Sequence, residues 1–598
     1  MAKDNKKLEV EKLNAEIERL KKELKKRKKY GLVWEDKDEE VVKMCADLNK
    51  KKFPVLKEVK NKEIKTDKNK PVNLLIEGDN YHALSVLNYT HAKKVDVIYI
   101  DPPYNRGAGG SSDFKYNDKF VEKEDAYRHS KWLNFMKSRL TLAKSILKDT
   151  GVIFVSIDEN EFAQLKILCD EIFGENNFLG NLIWKRRGGI GSFAEKYLTQ
   201  NHEYVIVYKK QNGFLFHNIL GEKRKKEFKY KDEKGHYRWI GLVGPSQQTK
   251  ERRPNLDYGI LYDEQNNKII GFVDRNSKKD FFDKSHSNKI KEIWLSGKAT
   301  WLIGKDGIKK FYNRGLINVF KGNGGYALKI KNYLYDSDGK IRGTILKSIL
   351  SDNDIYIGMN SEGTNQIKEI LYPKDFSNMK PKPVSLIKFL LSTRADKNSV
   401  VMDFFAGTGT TGHAVLELNK EDNGNRRFIL CTNNENNICT DVCYPRVKKV
   451  IEGYKNLKGQ KVEGLGGNLK YFKTDFVNYD EPTDKNKIKL TEQATEMLCV
   501  KEGTFEKVLP ARRSLGAGGD QKNFKIFKNS NHYTGIIFDQ AAIPAFKKAV
   551  KNIKAKFSVY VFSLGDETFD DEFKDVKQKV KLSPIPEAIL RVYRRIFK

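Results

Sequence analysis

Short runs of consecutive apolar, β-branched residues alternate along this chain with stretches whose apolar residues recur every three or four positions. Val95 to Ile100 reads V-D-V-I-Y-I. Such a run is too short for a helix and rich in strand formers, so a strand is expected. Asn73 to Ile76, Gly151 to Ile157, Glu203 to Tyr208, Val400 to Asp403 and Arg426 to Cys431 read the same way. Between them the spacing becomes helical. From Lys123 to Lys148, Trp132, Phe135, Met136, Leu140, Ala143 and Leu147 share one face. Helices are also expected over Asn80–Leu87, Glu159–Phe173, a stretch opened by Pro381-Lys382-Pro383 and running through Leu391, and Gly412–Leu418. Apolar strands alternating with amphipathic helices imply an α/β fold, with a mostly parallel sheet covered on both faces.

Four regions leave this pattern. Within residues 1–30, Val10, Leu13, Ile17, Leu20 and Leu24 form the seam of a short coiled-coil helix, which either dimerises the chain or docks on its own body. Residues 31–70 are polar and lysine-rich, as in a linker. From 210 to 370 the strands shorten, Gly-Asn and Asp-Gly turns appear, and Trp239, Trp294 and Trp301 are interleaved with basic residues. This reads as an inserted α+β domain that splits the main sheet into halves at 71–209 and 371–460. Residues 461–598 carry their own strands, His532–Phe538 and Phe557–Phe562, and a basic amphipathic helix from Glu587 to Phe597. They are expected to form a small C-terminal α+β domain, serving as a DNA-facing element or a subunit contact.

Charge narrows the partners. In 598 residues, 112 Lys and Arg face 79 Asp and Glu, a formal +33. The excess favours a polyanion, most simply nucleic acid, over a set of merely solvated faces. Six cysteines in such a length make no disulfide framework. Cys431, Cys439 and Cys443 lie close in sequence but lack the paired spacing of a zinc site, so no metal is expected. No apolar signal core or membrane-length run occurs. The expected setting is cytoplasmic, with no membrane partner.

The chemistry sits at two strand ends. Val95–Ile100 runs into Asp101-Pro102-Pro103-Tyr104. The prolines stiffen the turn, and the carboxyl ends of strands in open α/β sheets are where ligands bind. The Asp101 carboxylate and the Pro102 carbonyl can both accept from an exocyclic amine, and Tyr104 can stack on a flat ring. A plain turn with a core tyrosine is the alternative for such a motif taken alone. Far downstream, Val400–Asp403 leads into Phe404-Phe405-Ala406-Gly407-Thr408-Gly409-Thr410-Thr411-Gly412. The glycines allow close backbone approach, and the following helix offers unpaired N–H groups. G-x-G-x-x-G fits either NAD or S-adenosylmethionine. Glu435, after the next strand, suits a ribose diol. Asp79, after the first strand, is either a ligand acceptor or a helix N-terminal acid. The glycine-rich loop from Asn105 to Ser112 is a candidate lid, or a contact to a substrate backbone through Arg106.

D-P-P-Y followed by F-x-G-x-G, with a basic insert between them, resembles the beta arrangement of N6-adenine DNA methyltransferases. More closely, the chain resembles the modification (Mod) subunits of type III restriction–modification systems. The likeness covers Asn73 to Tyr208, residues 380–453, and Phe557 to Phe597 with its Pro584-Ile585-Pro586. It implies a Rossmann-like S-adenosylmethionine-dependent methyltransferase sheet, with 210–370 as target-recognition domain, 71–209 as catalytic half and 371–460 as cofactor half. Asp101, Pro102, Pro103 and Tyr104 would hold a flipped adenine. Asp403, Phe405, Ala406, Gly407, Thr408, Gly409 and Thr410 would form the S-adenosylmethionine turn. Lys382 and Pro383 match the Lys-Pro element before it, Glu435 would hold the ribose, and Asp79 the cofactor's adenine. In many relatives the ribose acid follows its strand directly, whereas here Thr432, Asn433 and Asn434 intervene. Implied partners are double-stranded DNA, a second copy in a homodimer, and a nuclease/helicase restriction subunit. This chain has no Walker A loop of its own. Rivals are N4-cytosine methylation and a chain that mainly recognises DNA for its partner. Asp rather than Ser before Pro-Pro-Tyr favours adenine.

Overall fold

The computed structural model describes residues 34, 39–46, 52–67, 69–107, 114–116, 119–188, 200–211, 213–322, 325–337, 341–343, 345–350, 355–376, 379–478, 483–508, 523–565, 567, 569–576 and 579–597. The coiled-coil helix expected before residue 30 and most of the loop after Gly107 lie outside these residues. The chain divides into two compact units. One comprises residues 1–216, 347–351 and 357–598, and the other residues 217–346 and 352–356.

The first unit is built on a large mixed sheet. Its strands are β1 (Lys52–Glu58), β2 (Val72–Glu77), β3 (Val95–Ile100), β4 (Leu147–Ile157), β5 (Phe178–Lys185), β6 (His202–Lys209), β7 (Ile349–Leu350), β8 (Val400–Asp403), β9 (Arg427–Thr432) and β10 (Asn468–Asn478). Across the sheet the order is β1-β10-β2-β9-β8-β3-β4-β6-β5-β7, with Ile64–Lys65 also pairing to β10. The six strands from β10 to β4 run parallel. At one edge β6 runs antiparallel to both β4 and β5, and at the other β1 runs antiparallel to β10.

The apolar runs became the central strands because both faces are covered. Every residue of β3 is buried. Its one acid, Asp96, is satisfied by Lys148 Nζ at 2.6 Å and the Val400 amide at 2.8 Å. The covering helices include α1 (Glu40–Ala46), α2 (Asn80–Thr90), α3 (Arg128–Ile146), α4 (Phe162–Phe173), α5 (Asn360–Leu371), α6 (Val384–Ser392), α7 (Thr410–Asp422) and α8 (Tyr444–Glu452). The α3 face of Trp132, Met136, Leu140 and Ala143 is core, as its spacing implies. Leu147, expected at the end of that helix, instead opens β4.

Two boundaries differ from expectation. Residues 31–70 are not a linker: β1 lies there, pairing with β10 along seven residues. Its Phe53, Val55 and Leu56 are buried, and the flanking lysines had masked a short apolar core strand. β10, in turn, lies in the segment read as C-terminal domain. Beyond it, a five-stranded sheet follows, made of Glu506–Val508, Phe524–Lys528, His532–Ile537, Lys556–Phe562 and Val580–Ile585. The closing helix α9 (Glu587–Ile596) turns its apolar face to the main sheet. Tyr593 and the following Phe597 meet the Phe53 ring of β1 at 5.2 and 6.1 Å.

The second unit holds two four-stranded antiparallel sheets and the helix Lys305–Asn313 around a core that includes Tyr258, Ile260, Phe272, Trp301 and Ile308. It is narrower than the 210–370 expected, since α5 belongs to the first unit. Trp301 is core there, its indole donating to the Tyr258 carbonyl at 2.7 Å.

Gly78 ends β2 at φ +147°, where a Cβ would stand 1.9 Å from Thr474 Oγ1 on β10. Gly78→Ala is therefore expected to cost about 1–3 kcal/mol, read as a lowered urea midpoint.

Candidate active site

The two strand ends singled out in the sequence are neighbours. β8 pairs in parallel with β3, Val401 facing Val97 and Met402 facing Ile98. Asp101 and Phe404 thus leave the same edge of the sheet, and both line one cavity of about 1010 Å³. Asp79, Pro102, Pro103, Tyr104, Lys382, Phe405, Gly407 and Glu435 line it too. That is ample for two ligands meeting end to end.

At one end stands the Asp-Pro-Pro-Tyr turn. Trp132 Nε1 donates to the Pro103 carbonyl at 2.7 Å, tying the turn to α3. The Tyr104 hydroxyl donates to Asp101 Oδ1 at 2.7 Å. Burial, then Asp101 and Glu203, push the Tyr104 phenol well above its ordinary range, so it stays protonated. Lys382 Nζ lies 2.9 Å from each Asp101 oxygen and from the Tyr104 oxygen, and 3.2 Å from Glu203 Oε2. Burial works against the Lys382 charge, but Asp101 and Glu203 outweigh it and hold the ammonium above its usual range. Lys382, expected on the cofactor side, thus bonds the acid of the D-P-P-Y turn. Arg106 places its guanidinium carbon 4.8 Å from the Tyr104 ring centre and bonds Asp158 at 2.8 Å.

Behind the turn, Asn105 adopts φ +57°. Its amide donates to Glu161 Oε1 at 2.5 Å, and His129 Nδ1 reaches the same oxygen at 2.6 Å. Burial lifts the Glu161 carboxyl to about 8, against the pull of Asn105 and Arg128 and with help from Asp158. Unfolded glutamate titrates near about 4.3. The native chain therefore holds the extra proton between these values, and the contribution of Glu161 to stability falls as pH rises from about 4 to about 8. Glu161→Gln is expected to flatten that fall, measured as urea midpoints across this range.

The glycine turn forms the other end. Gly407 and Gly409 have φ +48° and +79°. A Cβ on Gly407 would find only Phe405 O within 4 Å, so the wall there is bare backbone. Asp403 lies beneath the turn and not on the cavity. It accepts from the Phe405 amide at 2.9 Å and the Thr411 hydroxyl at 2.6 Å. Burial raises its carboxyl to about 7, against those two hydrogen bonds. Thr408 and Thr410 turn to Arg446 Nη1, at 3.1 and 2.8 Å. Ala406 donates its amide to Cys431 O at 3.1 Å, and Pro383 caps α6. Thr408, Thr410 and Ala406 thus shape the turn from behind, while Pro383 serves the start of α6. Gly412, the third glycine, has Leu430 Cδ1 3.0 Å from where its Cβ would be, so it serves the packing of α7 on β9.

Along the cavity floor, Asp79 caps α2 by accepting from the Tyr81 amide at 2.7 Å. Of the two readings of Asp79, the helix-terminal one has this direct bond, though the carboxylate also lines the cavity. Arg139, fully buried, bonds Asp79 at 3.2 Å and grips Glu39 through two 2.8 Å contacts. Glu435 lines the cavity and pairs with Lys115. Three residues had no place in the sequence reading of this site: Glu39, Arg139 and Glu203. An acid in a polar segment, an arginine within a helix and an acid opening a strand carry no local signal. Their partners stand 100 residues away for Glu39 and Arg139 and 99 for Tyr104 and Glu203.

Among the described residues, no cluster of metal-ligating side chains occurs, and no helix is long and apolar enough to cross a membrane. The cysteines are unpaired and buried.

A family model described as DNA methylase matches residues 95–442. The chain is 33% identical over 389 residues to the type III restriction-modification enzyme StyLTI Mod subunit of Salmonella typhimurium, covering 60% of this chain and 52% of that protein. It is 33% identical over 436 residues to the EcoPI Mod subunit of Escherichia phage P1, covering 68% and 64%. It is 31% identical over 402 residues to the type II methyltransferase M.KpnI of Klebsiella pneumoniae, covering 64% and 89%. The matches thus span about half to two thirds of the two Mod subunits' length.

Proposed function

We propose that this chain, which belongs to the DNA methylase family, moves a methyl group from S-adenosylmethionine to N6 of an adenine turned out of duplex DNA. The observation that carries the reading is the pairing of β3 with β8, which opens the D-P-P-Y and F-x-G-x-G turns on one cavity. When bound, S-adenosylmethionine supplies an electrophilic methyl on a sulfonium, and the C–S electrons return to sulfur as the amine lone pair forms the new N–C bond. Gly407 and Phe405 would face the donor at the bare stretch of wall, and Glu435 would take its ribose. Asp101 and the Pro102 carbonyl would accept the two amine hydrogens, leaving the lone pair directed at the methyl carbon. Stacking on Tyr104, worth about 1–3 kcal/mol, offsets part of the cost of extruding the base. Asp101 or water then takes the proton that the methylated nitrogen sheds.

The unit of residues 217–346 and 352–356 supports the reading as a recognition element. Lys309, Lys321 and Lys329 stand beside aromatic rings there, a composition suited to phosphate contact. The Mod-subunit names of two relatives support a restriction subunit as partner, and a second copy is proposed beside it.

The test incubates the chain with duplex DNA and methyl-tritiated S-adenosylmethionine, then analyses the nucleosides by mass spectrometry. N6-methyladenine is the expected product. N4-methylcytosine would overturn the choice of base, and no transfer would overturn the reading. Co-purification with a restriction subunit, and sedimentation of the chain alone, test the two protein partners.

A further inference from the structure

We propose that Glu203 is a further working carboxylate of this site, receiving the Lys382 ammonium when Asp101 turns to the target amine. The inference rests on the methyl-transfer reading above. In the ligand-free arrangement Asp101 is already engaged. Oδ1 accepts from the Tyr104 hydroxyl at 2.7 Å and from Lys382 at 2.9 Å, and Oδ2 accepts from Lys382 at 2.9 Å. An ammonium has only three N–H bonds to give. Those of Lys382 are shared among Asp101, the Tyr104 oxygen and Glu203. A substrate amine competes with Lys382 for the same carboxylate.

Lys382 cannot answer by leaving, because it is buried and an unpaired buried ammonium is costly. Glu203 resolves the competition. It is itself 2% exposed, at the start of β6, and its Oε2 already lies 3.2 Å from the lysine nitrogen. A shift of a few tenths of an ångström turns that contact into a full hydrogen bond. Glu203 is held for this task by two arginines, Arg186 at 3.2 Å and Arg106 at 3.7 Å. Burial would raise its carboxyl, yet Lys382 and then Arg186 keep it below the ordinary range and so charged. The site thus holds one cation between two anions. One anion can be lent to the substrate while the other keeps the cation in place.

The test uses the full chain in single-turnover methylation, with cofactor affinity measured alongside by equilibrium dialysis. Glu203→Gln should slow transfer about tenfold or more with cofactor Kd within about twofold, since Lys382 then stays on Asp101. Adding Lys382→Met to the Gln chain should make transfer faster again than in the single variant. A merely structural role predicts the reverse, two buried losses being worse than one. Should the Gln chain fail to fold, Glu203→Asp carries the test: drawing the carboxylate back by one carbon should slow transfer about threefold or more. A Gln or Asp rate within about twofold of the parent, or a double variant no faster than the Gln chain, overturns the inference. A parent that transfers no methyl sinks the methyl-transfer reading and this inference with it. An active parent with an indifferent Glu203 sinks this inference alone.

Discussion

Asp101→Ala is expected to slow methyl transfer by about a thousandfold while changing cofactor affinity by no more than a few-fold. Asp101 lies at the D-P-P-Y end of the cavity, on β3, whereas the bare backbone of the glycine turn leaves β8. Losing the carboxylate removes an acceptor for the amine and a receiver for its proton. It removes nothing from the other wall. Lys382 still has Glu203 at 3.2 Å, so its charge is not stranded. Asp101→Asn is the sharper probe, because it keeps the shape and one acceptor oxygen. Its rate is expected between those of the alanine variant and the parent. Single-turnover transfer beside equilibrium dialysis of the cofactor reads both quantities. An alanine variant that methylates at near-parental rate would remove Asp101 from the chemistry.

Arg139→Ala is expected to lower stability by about 3–5 kcal/mol, the cost of stranding a partner of a buried ion pair. Arg139 is fully buried on α3, where it joins Glu39, Asp79 and Asn80 and lies 3.7 Å from the Phe135 ring centre. Burial opposes its charge, but Asp79 and Glu39 more than restore it. Without it Glu39 has no cation among the described residues, and Asp79 loses the brace that holds it at the cavity. Replacing Glu39 by leucine in the same chain should recover part of the loss, because the remaining charge is gone. Urea unfolding of the parent and the two variants measures this. A loss below about 1 kcal/mol would mean that Arg139 behaves as a solvated surface pair.

What could be read in advance, and what could not, follows from how far each signal reaches. The strands Val95–Ile100 and Val400–Asp403 announce themselves, since a strand covered on both faces is apolar at nearly every position. Phe178–Lys185 does not: only Leu182 and Trp184 of its eight residues are buried, so it has no clear rhythm. Asp101 and the glycine turn were legible because rigid or bare backbone at a strand's end has a chemical meaning by itself. Lys382 was found but its bond to Asp101 was not, because that partner lies 281 residues earlier. Asp79 stayed ambiguous for a related reason. A helix cap and a ligand acceptor call for the same side chain, and only the 2.7 Å bond to the Tyr81 amide separates them.

The pairing of β3 with β8 also bears on how the chain is made. These strands touch in space but are about 300 residues apart in sequence. A ribosome adding about 5–20 residues per second releases the first roughly 15–60 s before the second. Through that interval a largely apolar strand with an open edge waits for its neighbour. Until the rest of the chain arrives, the emerging half-sheet exposes an unpaired edge and apolar surface to other chains.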